Sequence, residues 1–370
     1  MKESVFHNKI IWFSFFFSLL VIWIHAYNAE LYLGATEWME PVYRFEHWIG
    51  DGIAQIAVPG FFMISGYLFY RNFDWSRLLE KWNRRIRSVL VPYILWNFLY
   101  YLGYVIGSRL PWVRDVVGKG TIPFRLDVIV DAVINYRYNY VFWYLFQLIF
   151  LILLAPLLYP VLKYFQSRIL FFAALLVVLW LDISLPLLNA DALFYYAAAA
   201  ALAMDGKSWV EGSIPHKAGI SEAAVVGGGL IAAAVIVYRL GLRYAMPVGF
   251  VLCRLLAVAG LWVLVPGECL PDAKPFMKNH FFLYATHFGL VRFINKAVAE
   301  QLEVVAVARY LPLPAERGLS LPGAAHLPLQ VVPMALYLLM PGIILVISSA
   351  AAYLLRRYTP GVWTLLNGDR

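Results

Sequence analysis

Charge is scarce in this chain: only 14% of its 370 residues are Asp, Glu, Lys or Arg, against roughly a quarter in a soluble domain. Cysteine is scarcer still. Cys253 and Cys269 are the only two, and they form no CxxC or metal-ligand spacing, which excludes a disulfide scaffold and a cysteine-built metal site. We read Cys253 as an apolar packing residue and Cys269 as a loop residue. A Walker A loop, a GxSxG elbow, an HExxH helix and an EF-hand loop are all missing, so the usual signatures of nucleotide hydrolysis, serine hydrolysis, zinc proteolysis and calcium binding are absent. The first apolar run is a full span without a small-residue cleavage pattern, so no cleavable leader is expected. No repeat of 20–50 residues and no shift of composition divides the chain, so a single domain over residues 1–370 is expected.

What the sequence has in abundance is apolar surface. Hydrophobic residues make up 62% of it, and the mean hydropathy is +0.70. A bilayer span takes roughly 20 apolar residues. Apolar length places ten candidates, at 10–30, 52–72, 88–109, 140–162, 168–187, 190–204, 222–239, 247–265, 278–298 and 331–355. The fold expected is therefore all-α, a polytopic membrane bundle of about ten helices. The net charge of +8 follows from the positive-inside rule and calls for no nucleic-acid partner. The densest basic loop holds Arg71, Arg77, Lys81, Arg84, Arg85 and Arg87, which places it in the cytoplasm. Both termini then lie inside as well. The first external loop carries Glu37, Glu40, Glu46 and Asp51 against Arg44. Two longer external segments, about 110–139 and 299–330, complete that topology.

Polar groups inside a membrane need a reason, because an Arg, Lys or Asp at mid-helix costs about 2.5–3.5 kcal/mol. His25 lies about fifteen residues into the first interval, ~22 Å along a helix. Ser14 and Ser18 project on nearly the same side, and His7 joins them if the helix begins early enough. An imidazole there is either a general base for a hydroxyl proton or a hydrogen-bonded packing residue. His287 stands seven residues after His280 on one face, beside Asn279 and Thr286; it either assists acid–base chemistry or bonds a neighbouring helix. Lys81, Arg84 and Arg85 share a helical face, with Arg87 nearby. They suit phosphate oxygens, anionic lipid headgroups, or simple topological anchoring. Pro92 follows and is expected to kink the helix. Ser65 and Gly66 interrupt the run VPGFFMISGYLF, either for close helix approach or beside a cavity.

In this order, the segments resemble the acyltransferase-3 family of bacterial integral membrane proteins, whose members include O-acetyltransferases of surface polysaccharides and peptidoglycan. The matching stretches are His25 ending a first span, VPGFFMISGYLF, RRIRSVLVPYILW, FWYLFQLIFLILLAP and FFLYATHF. The resemblance implies acyl transfer from cytoplasmic acetyl-CoA, a co-substrate and not a resident cofactor, to a hydroxyl of a cell-envelope glycan or glycolipid, in the bacterial inner membrane. It also implies roles. His25 is the base or transient acyl acceptor, with His287 assisting; Arg84, Arg85, Arg87 and Lys81 hold the coenzyme A phosphates; Ser14, Ser18, Ser65 and Gly66 shape a tunnel. His47 and Trp48 contact the acceptor sugar, although Trp48 also suits an interfacial anchor. No metal is required. The family's first-span motif carries Arg or Lys eleven residues before the histidine. Ser14 stands there in this chain, and Lys9 is the nearest basic residue. No fused extracytoplasmic esterase-like domain is expected. A non-enzymatic transporter or flippase of lipid-linked glycans would need the same bundle, but the acidic residues Asp182, Asp191 and Asp205 fall at span ends, where proton-coupled transporters rarely keep their carboxylates.

Overall fold

A computed structural model describes residues 1–31, 40–111, 113–212, 222–310 and 323–368. Among these, every regular element is helical. The main helices are α1 (Glu3–His25), α2 (Glu40–Tyr70), α3 (Trp75–Gly107), α4 (Trp143–Leu153), α5 (Ala155–Lys163), α6 (Phe165–Trp180), α7 (Ala190–Asp205), α8 (Glu222–Tyr244), α9 (Pro247–Leu264), α10 (His280–Tyr310), α11 (Gly323–Tyr358) and α12 (Pro360–Asn367). Each of the ten intervals read from apolar length falls on a helix or on a bent helix pair. Six helices among the described residues are long and apolar enough to cross a membrane, or seven if the pair beginning at Tyr140 counts as one span. That supports a multi-pass membrane protein with fewer full spans than the ten expected. The shortfall is partly one of length: α6 and α7 have 16 residues each, about 24 Å of helix against a hydrocarbon core of ~30 Å. Glu37 and residues 311–322 of the second long external segment, with its Pro312, Pro314 and Pro322, lie outside the described residues.

Proline sets the breaks. Pro156 cannot donate to the Ile152 carbonyl, four residues earlier, and the predicted span 140–162 is bent there by 65°. The freed carbonyl is taken by the Trp82 indole N–H at 3.0 Å. Pro92 likewise has no N–H to donate to the Ser88 carbonyl. Instead of a simple kink, α3 passes through a π-helical turn at Ile86–Leu90 just before it, a known way for a helix to absorb a missing bond.

Small residues set the close approaches. In α7 the alanine run and Tyr196 are buried against α2. A Cβ on Gly66 would lie 2.3 Å from the Tyr196 carbonyl oxygen. The hairpin α8–α9 is built on the same rule: a Cβ on Gly249 would meet the Gly241 Cα at 2.9 Å. This hairpin sits at the periphery, with Val225, Val235 and Ile236 exposed.

Both ends of α1 are fastened. At its start, Glu3 pairs with Arg71 at 2.6 Å, and Arg71 also pairs with Glu211 at 2.7 Å. At its finish, the Ala26 carbonyl accepts from the Asn295 side-chain amide at 3.1 Å. The backbone N–H groups of Asn28 and Ala29 donate to the buried Glu46 carboxylate at 3.2 Å. The last carbonyls of a helix lack partners within it, so these bonds fix the residue at that end, His25.

Candidate active site

His25 is the last residue of α1 and is half-buried. Its Nδ1 lies 2.9 Å from the Tyr140 hydroxyl. The ring centroid of His287 is 5.3 Å away, tilted by 36°. His287 is fully buried on α10, and its Nδ1 donates to the Tyr284 carbonyl. That bond fixes the tautomer: Nδ1 holds the proton and Nε2 keeps its lone pair. The Nε2 atom has no hydrogen-bond partner among the described residues. Two imidazoles thus meet inside the bundle, brought together because α1 and α10 lie side by side. Ser18 marks the same seam one level down, donating to the Ser14 carbonyl at 2.9 Å and the His280 carbonyl at 3.3 Å.

His25 opens onto a cavity of about 160 Å³ that also receives Gln55, Asn189, Asp191, Tyr195 and Arg254. Arg254 donates to the Gln55 side-chain oxygen at 3.4 Å, and its guanidinium stands 3.9 Å from the Asp191 carboxylate. A base, a guanidinium and amide groups around one small space can orient a hydroxyl, take its proton and steady a developing oxyanion.

The arginines gather at the other end of α1, around a cavity of about 570 Å³ lined by Glu80, Lys81, Arg84, Arg85, Arg87 and Gly368 among others. Their roles are unequal. Lys81 donates to the carbonyls of Phe69 at 2.5 Å and Arg71 at 3.1 Å, and so caps the end of α2. Arg84 pairs with Glu80 at 2.6 Å on the surface. Arg87 is exposed. Arg85 is half-buried.

The two cavities share no lining residue. One face of α2 links them: Phe62 lines the first and Phe69 the second, seven residues and about 10 Å apart along the helix. Between them stand Ser65, whose hydroxyl is 3.2 Å from that of Tyr144, and Gly66 against Tyr196. A row of rings continues toward the histidines, with Tyr144 5.9 Å from Tyr284 and Tyr284 5.6 Å from His287.

A family model described as an acyltransferase domain matches residues 8–357 of the chain. The chain belongs to the acyltransferase-3 family. No curated protein and no solved structure matches it. It is a membrane acyltransferase, and its remaining predicted site residues can be placed on that footing. Ser14 and Ser18 are buried in the α1–α10 seam and line neither cavity. Lys9 is buried five residues before Ser14 on α1. Its ammonium donates to the Trp262 carbonyl at 2.6 Å and lies 4.1 Å from that indole ring, toward the arginine end. His7 is on α1 but exposed, paired with Glu3 at 2.9 Å. His47 lies outside the His25 cavity, stacked on Tyr27 at 4.5 Å and 2.5 Å from Asp51. Trp48 is 64% exposed. Among the described residues, no group of three or more His, Cys, Asp or Glu could hold a metal ion.

Sequence reasoning missed Arg254 and Tyr140 beside His25, and the place of Asp191 in the same cavity. Arg254 had a signal: a single charge inside the apolar stretch FVLCRLLAVAG, which is by default a functional position in a membrane helix. Tyr140 had none, being one aromatic among 24 tyrosines.

Proposed function

We propose that this protein moves an acetyl group from cytoplasmic acetyl-CoA to a hydroxyl of a cell-envelope glycan or glycolipid, in the bacterial cytoplasmic membrane. The observation that supports this most is the His25–His287 pair beside Arg254, set at the far end of α1 from the arginine cavity. The arginine end takes the coenzyme A phosphates. Arg87 and Arg84 offer forked donors suited to phosphate oxygens, while Arg85 leads inward. The pantetheine arm follows the face of α2 past Ser65, with Tyr144 turning aside, and presents the thioester to the His25 cavity.

A thioester is already activated, so the protein's task is orientation, proton removal and charge stabilisation. With its Nδ1 proton donated to the Tyr140 oxygen, His25 has Nε2 free as base. The acceptor oxygen attacks the thioester carbonyl carbon as its proton passes to Nε2. The Arg254 guanidinium stabilises the oxyanion. The C–S bond then breaks, the ester is complete, and the imidazolium returns its proton to the coenzyme A thiolate. His287 buttresses the His25 ring and keeps a lone pair available beside it.

The test uses proteoliposomes with [14C]acetyl-CoA on the arginine side and a lipid-linked glycan in the bilayer. Label should appear in the glycan lipid with the intact protein and not with His25→Ala. If the intact protein labels no glycan lipid, and the His25→Ala protein still moves the unmodified glycolipid across the bilayer, a flippase replaces this reading.

A further inference from the structure

A third space, sharing no lining residue with either cavity above, runs along the outside of the bundle. It is a groove of about 450 Å³ between residues 96–104 of α3, 286–293 of α10 and 347–351 of α11. Its walls are effectively apolar, because their polar atoms bond one another. The Thr286 and Ser348 hydroxyls are 2.8 Å apart. The Tyr100 hydroxyl donates to the Ala285 carbonyl at 2.9 Å and accepts from the Gly289 N–H at 3.1 Å. Leu99, Phe293 and Ile347 are exposed along it, so the groove is open to whatever surrounds the bundle at that depth.

One end of the groove is cationic. Arg292 lines it. Lys119 lies over Tyr104, a lining residue, at 5.2 Å from the ring. Burial, with the like charges of Arg292 and Arg137, holds the Lys119 ammonium below its ordinary value. Arg137 is already paired with Asp131 at 2.7 Å. Among the described residues, no carboxylate pairs with Arg292 or Lys119.

That cationic end adjoins the histidines. The Arg292 guanidinium is 5.5 Å from the Phe288 ring. Phe288 is 4.5 Å from Tyr140 and 5.8 Å from His25, centroid to centroid. Tyr140 is 49% exposed while its hydroxyl bonds His25. A headgroup held by Arg292 is therefore one aromatic layer from the proposed base.

In a bilayer, an apolar groove gains little by exchanging one hydrocarbon tail for another, so selection must come from the charged end. We propose that the groove seats the hydrocarbon chain of the acceptor, and that Arg292 and Lys119 hold a phosphate joining that chain to its sugar. This rests on the acyl-transfer reading and narrows its acceptor to phosphate-linked glycolipids that enter sideways from the membrane. The phosphate is an anchor and does not react; the sugar beyond it reaches the Tyr140–His25 pair.

The test measures binding, not turnover. The full chain is placed in phosphatidylcholine nanodiscs with a farnesyl-phosphate-linked hexose bearing a diazirine on the chain. Crosslinks should map to residues 96–104 and 286–293. Arg292→Gln and Lys119→Gln should each weaken binding about five-fold, as expected for about one membrane-surface charge interaction. Arg292→Lys should restore most of it, which separates lost charge from misfolding. A farnesyl hexoside without phosphate should bind weakly and be indifferent to both Gln variants. The His25→Ala protein should bind the probe like the intact chain, so that failed transfer with retained binding counts against the base and not against the groove. The proposal is overturned if the phosphate-free hexoside binds as well as the probe, or if crosslinks fall elsewhere. It is likewise overturned if phosphatidylglycerol displaces the probe at equal concentration, which would mark a site for bulk anionic lipid.

Discussion

At the histidine end of α1, the polar groups satisfy one another around a space of about 160 Å³: His25 with Tyr140, Arg254 with Gln55 and Asp191. At the arginine end, the space is about 570 Å³ and the guanidinium groups of Arg84 and Arg87 stand at its open surface. The first arrangement holds side chains in fixed relation, which is what a reacting centre needs. The second offers charge to a large and strongly anionic ligand while fixing little. On the acyl-transfer reading proposed above, the difference puts chemistry at one end and capture at the other, a division no single residue reveals.

That division is exposed to measurement. The largest effect should come from His25→Ala, with kcat for acetyl transfer in proteoliposomes falling ~10²–10⁴-fold, the range for a lost general base. A variant keeping turnover near that of the intact protein would remove the chemistry from this end. Arg254→Met should lower kcat by ~10²–10³-fold, as for a lost oxyanion donor, with the KM for acetyl-CoA little changed. A shift confined to KM would make Arg254 a binding residue instead. Arg84→Gln combined with Arg87→Gln should do the reverse, raising the KM for acetyl-CoA by about ten- to a hundred-fold, as for lost charge-assisted bonds to phosphate, and leaving kcat close to that of the intact protein. Smallest in its functional reach, Gly66→Ala should act on packing between the two ends. Its Cβ would press on the Tyr196 carbonyl and cost ~1–3 kcal/mol as an overpacked seam, read as a lower Tm in detergent. An unchanged Tm would mean that α2 and α7 have room to separate there.

Much of this is legible in the amino-acid order alone. Apolar length marks the helices, and basic clustering picks out Arg84, Arg85 and Arg87, which do line one cavity. His25 and His287 stand out as costly polar residues in apolar runs, and they meet. What the sequence hides is mutual arrangement. Lys81 reads as one more phosphate ligand and does line the cavity, yet two of its three N–H donors are taken by the Phe69 and Arg71 carbonyls, because a helix end needs them. Ser14 and Ser18 read as a tunnel stripe, yet their seam is closed by the bond to the His280 carbonyl. Gln55, Asp191 and Arg254 come from three distant stretches, and only the packing of α2, α7 and α9 brings them to His25. Periodicity reports which face of a helix is polar, not which other polar face it will meet.

The carbonyl that Pro156 leaves free, and that Trp82 takes, has a mechanical consequence. Helix α4 is a short rod. One tip begins just after Tyr140, whose phenol touches His25; the other is latched to Trp82, a neighbour in sequence of the arginines. The latch ties the arginine-bearing helix, through this rod, to the phenol beside the imidazole. A single helix of 11 residues thus spans from the latch to the neighbourhood of the imidazole.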